Sequence, residues 1–285
     1  MIAHPSKSKA AAKSARAEFP WSEYPVAWQV FRETADEDQQ TASHLIGRPS
    51  WPDRKGLVLI DIGSGDGRIV EAIVGNKLQK QHNISEVRFL DPNLMLLTKA
   101  KEAVRGKIPV VKPIQAHLRD EGVWPLSGRG SDVALAVHVV YLMEDGELTH
   151  LIENLPPETT LFVVLDAPTS VFTELWAETA KLYHDRAMAA HQTMERIRDR
   201  KVIVSEITAS IPRAELRKHP TADWLLSLLC YRDMRSQNVS PRMLSRVHRI
   251  LDQHTGPTGD VVHCRSRCYE FPALDGSHAA AAIGI

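Results

Sequence analysis

The chain has 285 residues, 43% of them hydrophobic and 25% charged, a soluble globular composition with core enough to need no metal or disulfide staple. Its 35 Lys and Arg balance its 35 Asp and Glu, which argues against nucleic acid or a membrane surface as partner, since both select a basic excess. No apolar run reaches the ~18 residues of a membrane span, and the N-terminus lacks an apolar signal core, so a cytoplasmic protein is expected.

Residues 1–18 (MIAHPSKSKAAAKSARAE) are basic and poor in acids, and read as a disordered tail, with an organelle transit peptide as the other reading. Residues 20–46 predict one or two short helices, with Trp28, Phe31 and Ala35 at helical spacing. A Pro- and Gly-rich loop follows over 47–56. Strands and helices then alternate: strand Leu57–Ile62, helix Arg68–Gly75, strand Val87–Leu90, helix Leu94–Val104, strand Val110–Gln115, strand Asp132–Val137, helix Glu144–Asn154, strand Thr160–Leu165 and a long helix Val171–Met194. The strands are continuous apolar runs, as when helices cover both faces of a parallel sheet. A strand over 201–211, a helix Ala222–Met234 after a possible Thr221 cap, a helix Pro241–Asp252 capped by Ser240, and an alternating strand over 261–271 complete the pattern. The fold class is α/β, a doubly wound, mostly parallel sheet. One domain is expected over 19–274, with helical lid elements at about 19–46 and 212–256 and a small-residue tail over 275–285.

Cys230, Cys264 and Cys268 are an odd, sparse set that suits a reducing compartment. The 13 histidines show no ligand-type spacing, and no metal is expected.

The chemistry is concentrated in "LVLIDIGSGDGRIVEAI", residues 57–73. A turn that a ligand must approach closely needs residues without Cβ, and the helix behind it offers free N–H groups. Gly63, Gly65 and Gly67 supply the first and the helix from Arg68 the second. The spacing is G-x-G-x-G with Ser64 and Asp66 inside the turn, whereas the dinucleotide motif is G-x-G-x-x-G. A carboxylate at Asp66 would repel a pyrophosphate and suit an ammonium group, and Asp61 at the strand end adds a second acid. The next strand ends in Asp91, where a carboxylate can accept both hydroxyls of a ribose. NAD and S-adenosylmethionine both carry that ribose; the turn favours the latter.

These stretches resemble the class I S-adenosylmethionine-dependent methyltransferases over roughly residues 55–170. "LIDIGSGDG" looks like the family's first motif and "FLDPN", with Asp91, Pro92 and Asn93, its second. "QAHL" puts Gln115, Ala116 and His117 where the adenine-contacting segment lies, and "SDVALAVHVVYLM" puts Val137 and His138 at the reacting centre. The resemblance implies a seven-stranded Rossmann-like sheet with an antiparallel last strand, S-adenosyl-L-methionine as cofactor, S-adenosylhomocysteine as product, and a role such as secondary metabolism. A narrower similarity, through "DAPTSVFTELWAETAKLY" and "DWLLSLL", is to the histamine N-methyltransferase type of small-molecule enzyme. There a polar residue after the fourth strand and an acid in the N-terminal helices hold an imidazole-bearing amine; the matching positions are His138 and Glu37. His138 departs from that pattern, so the fold carries over and histamine does not.

The remaining candidates keep two readings each. His138 is either a satisfied buried histidine or a group that orients or deprotonates an amine. Tyr141 is a core residue or a catalytic contact, and Asp166 a strand-end cap or a substrate contact. Tyr24, Trp28 and Phe31 are core, or a lid whose rings face the sulfonium. The basic run Arg196, Arg198, Arg200 and Lys201 reads as a solvated helix end. The expected partner is a small organic acceptor, with an amine nitrogen foremost, and the expected state is a monomer or homodimer. The same motifs also fit an enzyme in which the cofactor's own amine attacks its γ-carbon, giving a cyclic amino acid (azetidine-2-carboxylate type) and methylthioadenosine.

Overall fold

The computed structural model describes residues 24–76, 84–118, 120, 131–143, 146–197, 201–235 and 239–274. The two tails expected over 1–18 and 275–285, and Arg198 and Arg200 of the basic run, lie outside the described residues.

The elements are α1 (Tyr24–Thr34), α2 (Glu37–Ile46), β1 (Leu57–Ile62), α3 (Arg68–Gly75), β2 (Ile84–Leu90), α4 (Leu94–Ala103), β3 (Val110–Ile114), β4 (Val133–Val137), α5 (Glu147–Glu153), β5 (Thr160–Asp166), α6 (Val171–Thr179), α7 (Lys181–Arg196), β6 (Ile203–Pro212), α8 (Thr221–Leu229), α9 (Pro241–Gln253) and β7 (Val261–Phe271). The seven strands form one sheet in the order β3-β2-β1-β4-β5-β7-β6. β1 to β5 pair in parallel, and β7 runs antiparallel to both β5 and β6. β1, β4 and β5 are almost wholly buried, which explains their unbroken apolar runs.

Two hydrophobic layers cover the sheet. One packs Ala42, Leu45 and Ile46 of α2 with residues of α3 and α4. The other packs Ala27 and Phe31 of α1 with residues of α5 to α9. The chain therefore changes face between α1 and α2, at Ala35 and Asp36. Asp36 fixes that crossing to β6: its Oδ1 accepts from Ser210 N at 2.6 Å, and its N–H donates to Ser210 O at 3.3 Å. The crossing sets Glu37, the first residue of α2, beside the tip of β4.

Several boundaries differ from the sequence reading, each for a local reason. The long helix expected over Val171–Met194 is broken at Ala180, which adopts φ −144°, ψ 61°. Thr179 Oγ1 donates to Leu175 O and Cys230 O, both at 2.7 Å, and ties the end of α6 to the end of α8. The helix expected to Met234 ends at Leu229, because Tyr231 turns left-handed (φ 43°) and Ser227 Oγ takes Met234 N at 3.0 Å. Thr221 opens α8 but does not cap it; Pro220 holds the cap position without a side-chain bond. Ser240 caps α9 as expected, accepting from Met243 N at 3.2 Å. The helix expected from Glu144 begins at Glu147, after a 3-10 turn over Val140–Leu142. No helix among the described residues is long and apolar enough to cross a membrane.

Candidate active site

β1 and β4 are neighbours where the strand order reverses, and a cleft of about 750 Å³ opens at their carboxyl ends. Such switch points are where open α/β sheets hold ligands. Asp61, Gly63, Ser64, Gly65, Asp66, Asp91, Pro92, Ala116, His117, Val137 and His138 all line it.

The three glycines serve different ends. A Cβ on Gly63 would fall 2.1 Å from Val139 Cγ2, and one on Gly67 would fall 2.8 Å from the Cα of Ala100 in α4. Gly65 (φ 54°) has nothing within 4 Å of a Cβ and leaves its surface open. Gly67 thus allows α3 and α4 to approach, and it is not among the residues that line the cleft. Asn93 is likewise a cap: its Oδ1 accepts from Met95 N at 3.0 Å and Leu96 N at 3.3 Å. Gln115 is exposed and donates to Pro92 O at 3.3 Å, and neither it nor Asn93 is among the residues that line the cleft.

Asp91 joins the turn to β2. Its Oδ2 accepts from Gly65 N at 3.0 Å and its Oδ1 from Asn93 N at 2.8 Å. Each carboxylate oxygen accepts more than one bond, so both can also serve hydroxyls in the cleft. Asp66 differs from expectation. It is ion-paired with Arg32 of α1, and Arg68 Nε stands 3.7 Å from it, so its charge is already balanced. Asp61 has no ion pair among the described residues and is 4% exposed. Burial pushes its carboxyl up to about 8, with the Arg32 charge opposing.

Arg32 is the residue the sequence reading missed. Its side chain is 9% exposed, its guanidinium lies over the Trp28 ring at 5.0 Å, and its Nε has no hydrogen-bond partner among the described residues. The one sequence signal was its position four after Trp28, which sets both on one helix face.

A second polar group sits at the tip of β4. His138 is left-handed (φ 53°), uncommon for a residue with a Cβ, and its N–H donates to Val164 O at 2.9 Å. Its Nε2 lies 3.4 Å from Glu37 Oε1 and its Nδ1 3.5 Å from Asp166 Oδ2. All three side chains are at least 93% buried. Tyr141 OH donates to Asp166 Oδ2 at 3.3 Å, while His191 Nε2 bonds Asp166 O at 2.8 Å and steadies the end of β5. His138 Nε2 and Asp166 Oδ1 have no hydrogen-bond partner among the described residues. These three groups are close enough to gather round an ion. Yet each ring nitrogen faces a different carboxylate, which is the layout of an ion-pair row and not of three ligands aimed at one centre.

Burial alone would pull the His138 imidazole down, but Glu37 and Asp166 override it and hold it up at about 9. An imidazole held up in this way is biased towards its charged form, which favours an orienting over a proton-taking role for His138. Burial pushes Glu37 up to about 7, with His138 opposing, so Glu37 is the group poised to exchange a proton.

A cavity of about 10 Å³ borders this row, walled by Trp28, Tyr141, Phe172, Trp176 and Tyr231. Trp28 and His138 line both this cavity and the main cleft. Phe31 is fully buried behind Trp28, stacked on it at 5.2 Å, so it is core and not lid. Tyr24 opens α1, and its side chain lies outside what is described.

The sheet order, the single reversed strand and the switch-point cleft define the Rossmann-like fold of the methyltransferases. Comparison with solved structures agrees. The YcgJ protein of Bacillus subtilis matches with a TM-score of 0.52 at 12% identity, over 83% of this chain and 99% of its own. BH2331 of Bacillus halodurans C-125, provisionally assigned as a methyltransferase, matches with a TM-score of 0.51 at 13% identity, over 84% and 100%. The plantazolicin methyltransferase BamL, solved with a desmethyl-plantazolicin analogue and S-adenosylhomocysteine, matches at 0.49 and 14%, over 88% and 91%. Neither a protein-family model nor a curated sequence matches the chain.

Proposed function

We propose that this chain is an S-adenosylmethionine-dependent methyltransferase that acts on the amine nitrogen of a small organic acceptor. The observation that carries the reading is the meeting of two sites at His138: an open glycine cradle on one side and a buried acid–histidine row on the other.

The residues present fit the cofactor. Gly65 offers an open backbone surface, Ser64 Oγ is buried without a hydrogen-bond partner among the described residues, and Arg32 Nε, 3.8 Å from Asp38 Oδ2, makes no hydrogen bond among them. Asp91 would accept from the ribose hydroxyls, and Ala116, His117 and Leu118, which line the same cleft, would hold the base. When bound, the cofactor supplies a methyl group activated by its sulfonium.

The rest belongs to the chain's own side chains. Glu37 and Asp166 present two carboxyl groups to the single His138 ring, so a protonated amine entering there would find a carboxyl partner. The aromatic walls favour such a cation and exclude water. Glu37 would take the ammonium proton and leave the nitrogen lone pair free, while Asp166 would accept from a remaining N–H and hold the nitrogen in line, with His138 orienting the two acids.

A second reading has its own observation. A cavity of about 10 Å³ has room for roughly one water, which favours chemistry needing no separate acceptor, namely attack by the cofactor's own amine on its γ-carbon. The products separate the two. Methyl transfer gives S-adenosylhomocysteine and a methylated acceptor, whereas cyclisation gives methylthioadenosine from S-adenosylmethionine alone.

A further inference from the structure

We propose that the acceptor is a primary amine, that Glu37 and Asp166 clamp its nitrogen through two N–H groups, and that the protein adds a single methyl group and stops. The inference rests on the methyl-transfer reading above and narrows its acceptor.

Three observations converge. One carboxyl oxygen of Glu37 and one of Asp166 lie within 4.8 Å of each other. Two N–H···O bonds of about 2.8 Å from one tetrahedral nitrogen set their acceptors about 4.6 Å apart, so the two acids have the bite of a single amine. Asp166 Oδ1 is buried and has no hydrogen-bond partner among the described residues, on a side chain only 3% exposed. A buried carboxyl oxygen in that state can take a donor that arrives from outside. Finally, both acids border the cavity of about 10 Å³, which has room for roughly one water-sized group. Its wall is braced: Trp176 stands edge-on to Tyr141 and to Tyr231, with centroids 5.1 Å apart in each case, and all three rings are buried.

These limits assign all four directions of the nitrogen. One N–H donates to Glu37 and one to Asp166. The carbon substituent and the lone pair both face the main cleft, which meets the cavity at Trp28 and His138. The amine arrives as an ammonium and gives one proton to Glu37, whose carboxyl still accepts through its carbonyl oxygen. The lone pair then forms the N–C bond, the methyl–sulfur bond breaks, and its electron pair stays on sulfur as the neutral thioether. The product is a secondary ammonium with both N–H groups on the two acids and its methyl toward the sulfur. The proton on Glu37 passes to water when the product leaves. A second transfer needs the lone pair where that methyl stands, so the methyl has to turn toward one of the acids. There it meets the braced wall and leaves a buried carboxyl without a donor, which is costly.

The test supplies each member of a panel of alkyl- and aralkylamines in its primary, N-methyl and N,N-dimethyl forms, with S-adenosylmethionine, and follows the products by mass spectrometry. Primary amines are expected to gain one methyl, and the N-methyl forms to turn over on the order of 10- to 100-fold more slowly, as a site built for an N–H rejects an analogue lacking it. Calorimetry on the S-adenosylhomocysteine complex reads the same clamp without turnover. There the primary and N-methyl forms should bind within about threefold of each other, and the N,N-dimethyl forms on the order of 10- to 100-fold more weakly. Asp166→Ala removes one acceptor and opens room for a methyl, so the primary to N-methyl rate ratio should fall to about one at a lower overall rate. If that variant does not fold, the two measurements on the parent protein decide alone. N-methyl forms that turn over as fast as primary ones, or dimethylated product accumulating from a primary amine, would overturn the proposal and leave methyl transfer standing. If no amine in any form yields S-adenosylhomocysteine, the amine methyl-transfer reading itself fails.

Discussion

Two buried acids of this site are held away from their ordinary state, and each makes a different prediction. Asp61 is pushed up to about 8 because burial penalises its charge more than Arg32 relieves it. Above about pH 4 the unfolded chain gives up this proton while the folded chain keeps it, so folding is opposed increasingly as pH rises from about 4 to about 8. Asp61→Asn carries no such cost. Its melting temperature should match the parent near pH 4 and exceed it progressively toward pH 8, a gap of roughly 2–4 kcal/mol in stability. A gap that does not change with pH would contradict this. Glu37 titrates near 7, so methyl transfer should rise through that pH as it ionises. Glu37→Gln should lower kcat by about 100-fold and abolish that inflection; a variant that keeps it would move the proton to another group. That Gly63, Gly65 and Asp91 gather at the strand ends was legible in the sequence, because backbone sterics allow few alternatives for a glycine turn between a strand and a helix. The charge of His138 was not, because it depends on Glu37, a hundred and one positions earlier, being carried across the sheet ends.

At the scale of elements, the glycine turn separates what folds the protein from what binds. Gly67→Ala would drive a methyl into the backbone of α4 at 2.8 Å while holding a left-handed conformation, and should cost several kcal/mol or prevent folding. Gly65→Ala meets nothing within 4 Å and carries only the left-handed penalty of about 1–2 kcal/mol. It should melt close to the parent and lose S-adenosylhomocysteine affinity. Thermal melts with calorimetry on both variants check this, and the reverse ranking in stability would refute the assignment of roles. The alternation of β1 to β5 with helices was readable because apolar runs bounded by turn residues have few competing forms. The break at Ala180 was not, since alanine is the best helix former and the interruption comes from Thr179 reaching Cys230 on another helix. Arg32 stayed hidden for the same kind of reason. Its neighbour Asp66 lies 34 positions away, and only the placement of α1 over the cleft brings them together.

For the molecule as a whole, the sheet provides a cleft at the β1–β4 reversal, and the two N-terminal helices beside it pack on opposite faces of the sheet. Asp36 pins the crossing between them to β6, so the cradle and the acid row cannot drift apart independently. That geometry makes the fate of S-adenosylmethionine the most direct test of the account. The pure protein is incubated with S-adenosylmethionine, alone and with a panel of small amines, and the products are followed by mass spectrometry. The account predicts S-adenosylhomocysteine only when an amine is present, together with an acceptor heavier by one methylene. Methylthioadenosine formed without any acceptor, faster than in a protein-free control, would contradict it and make the cofactor itself the substrate.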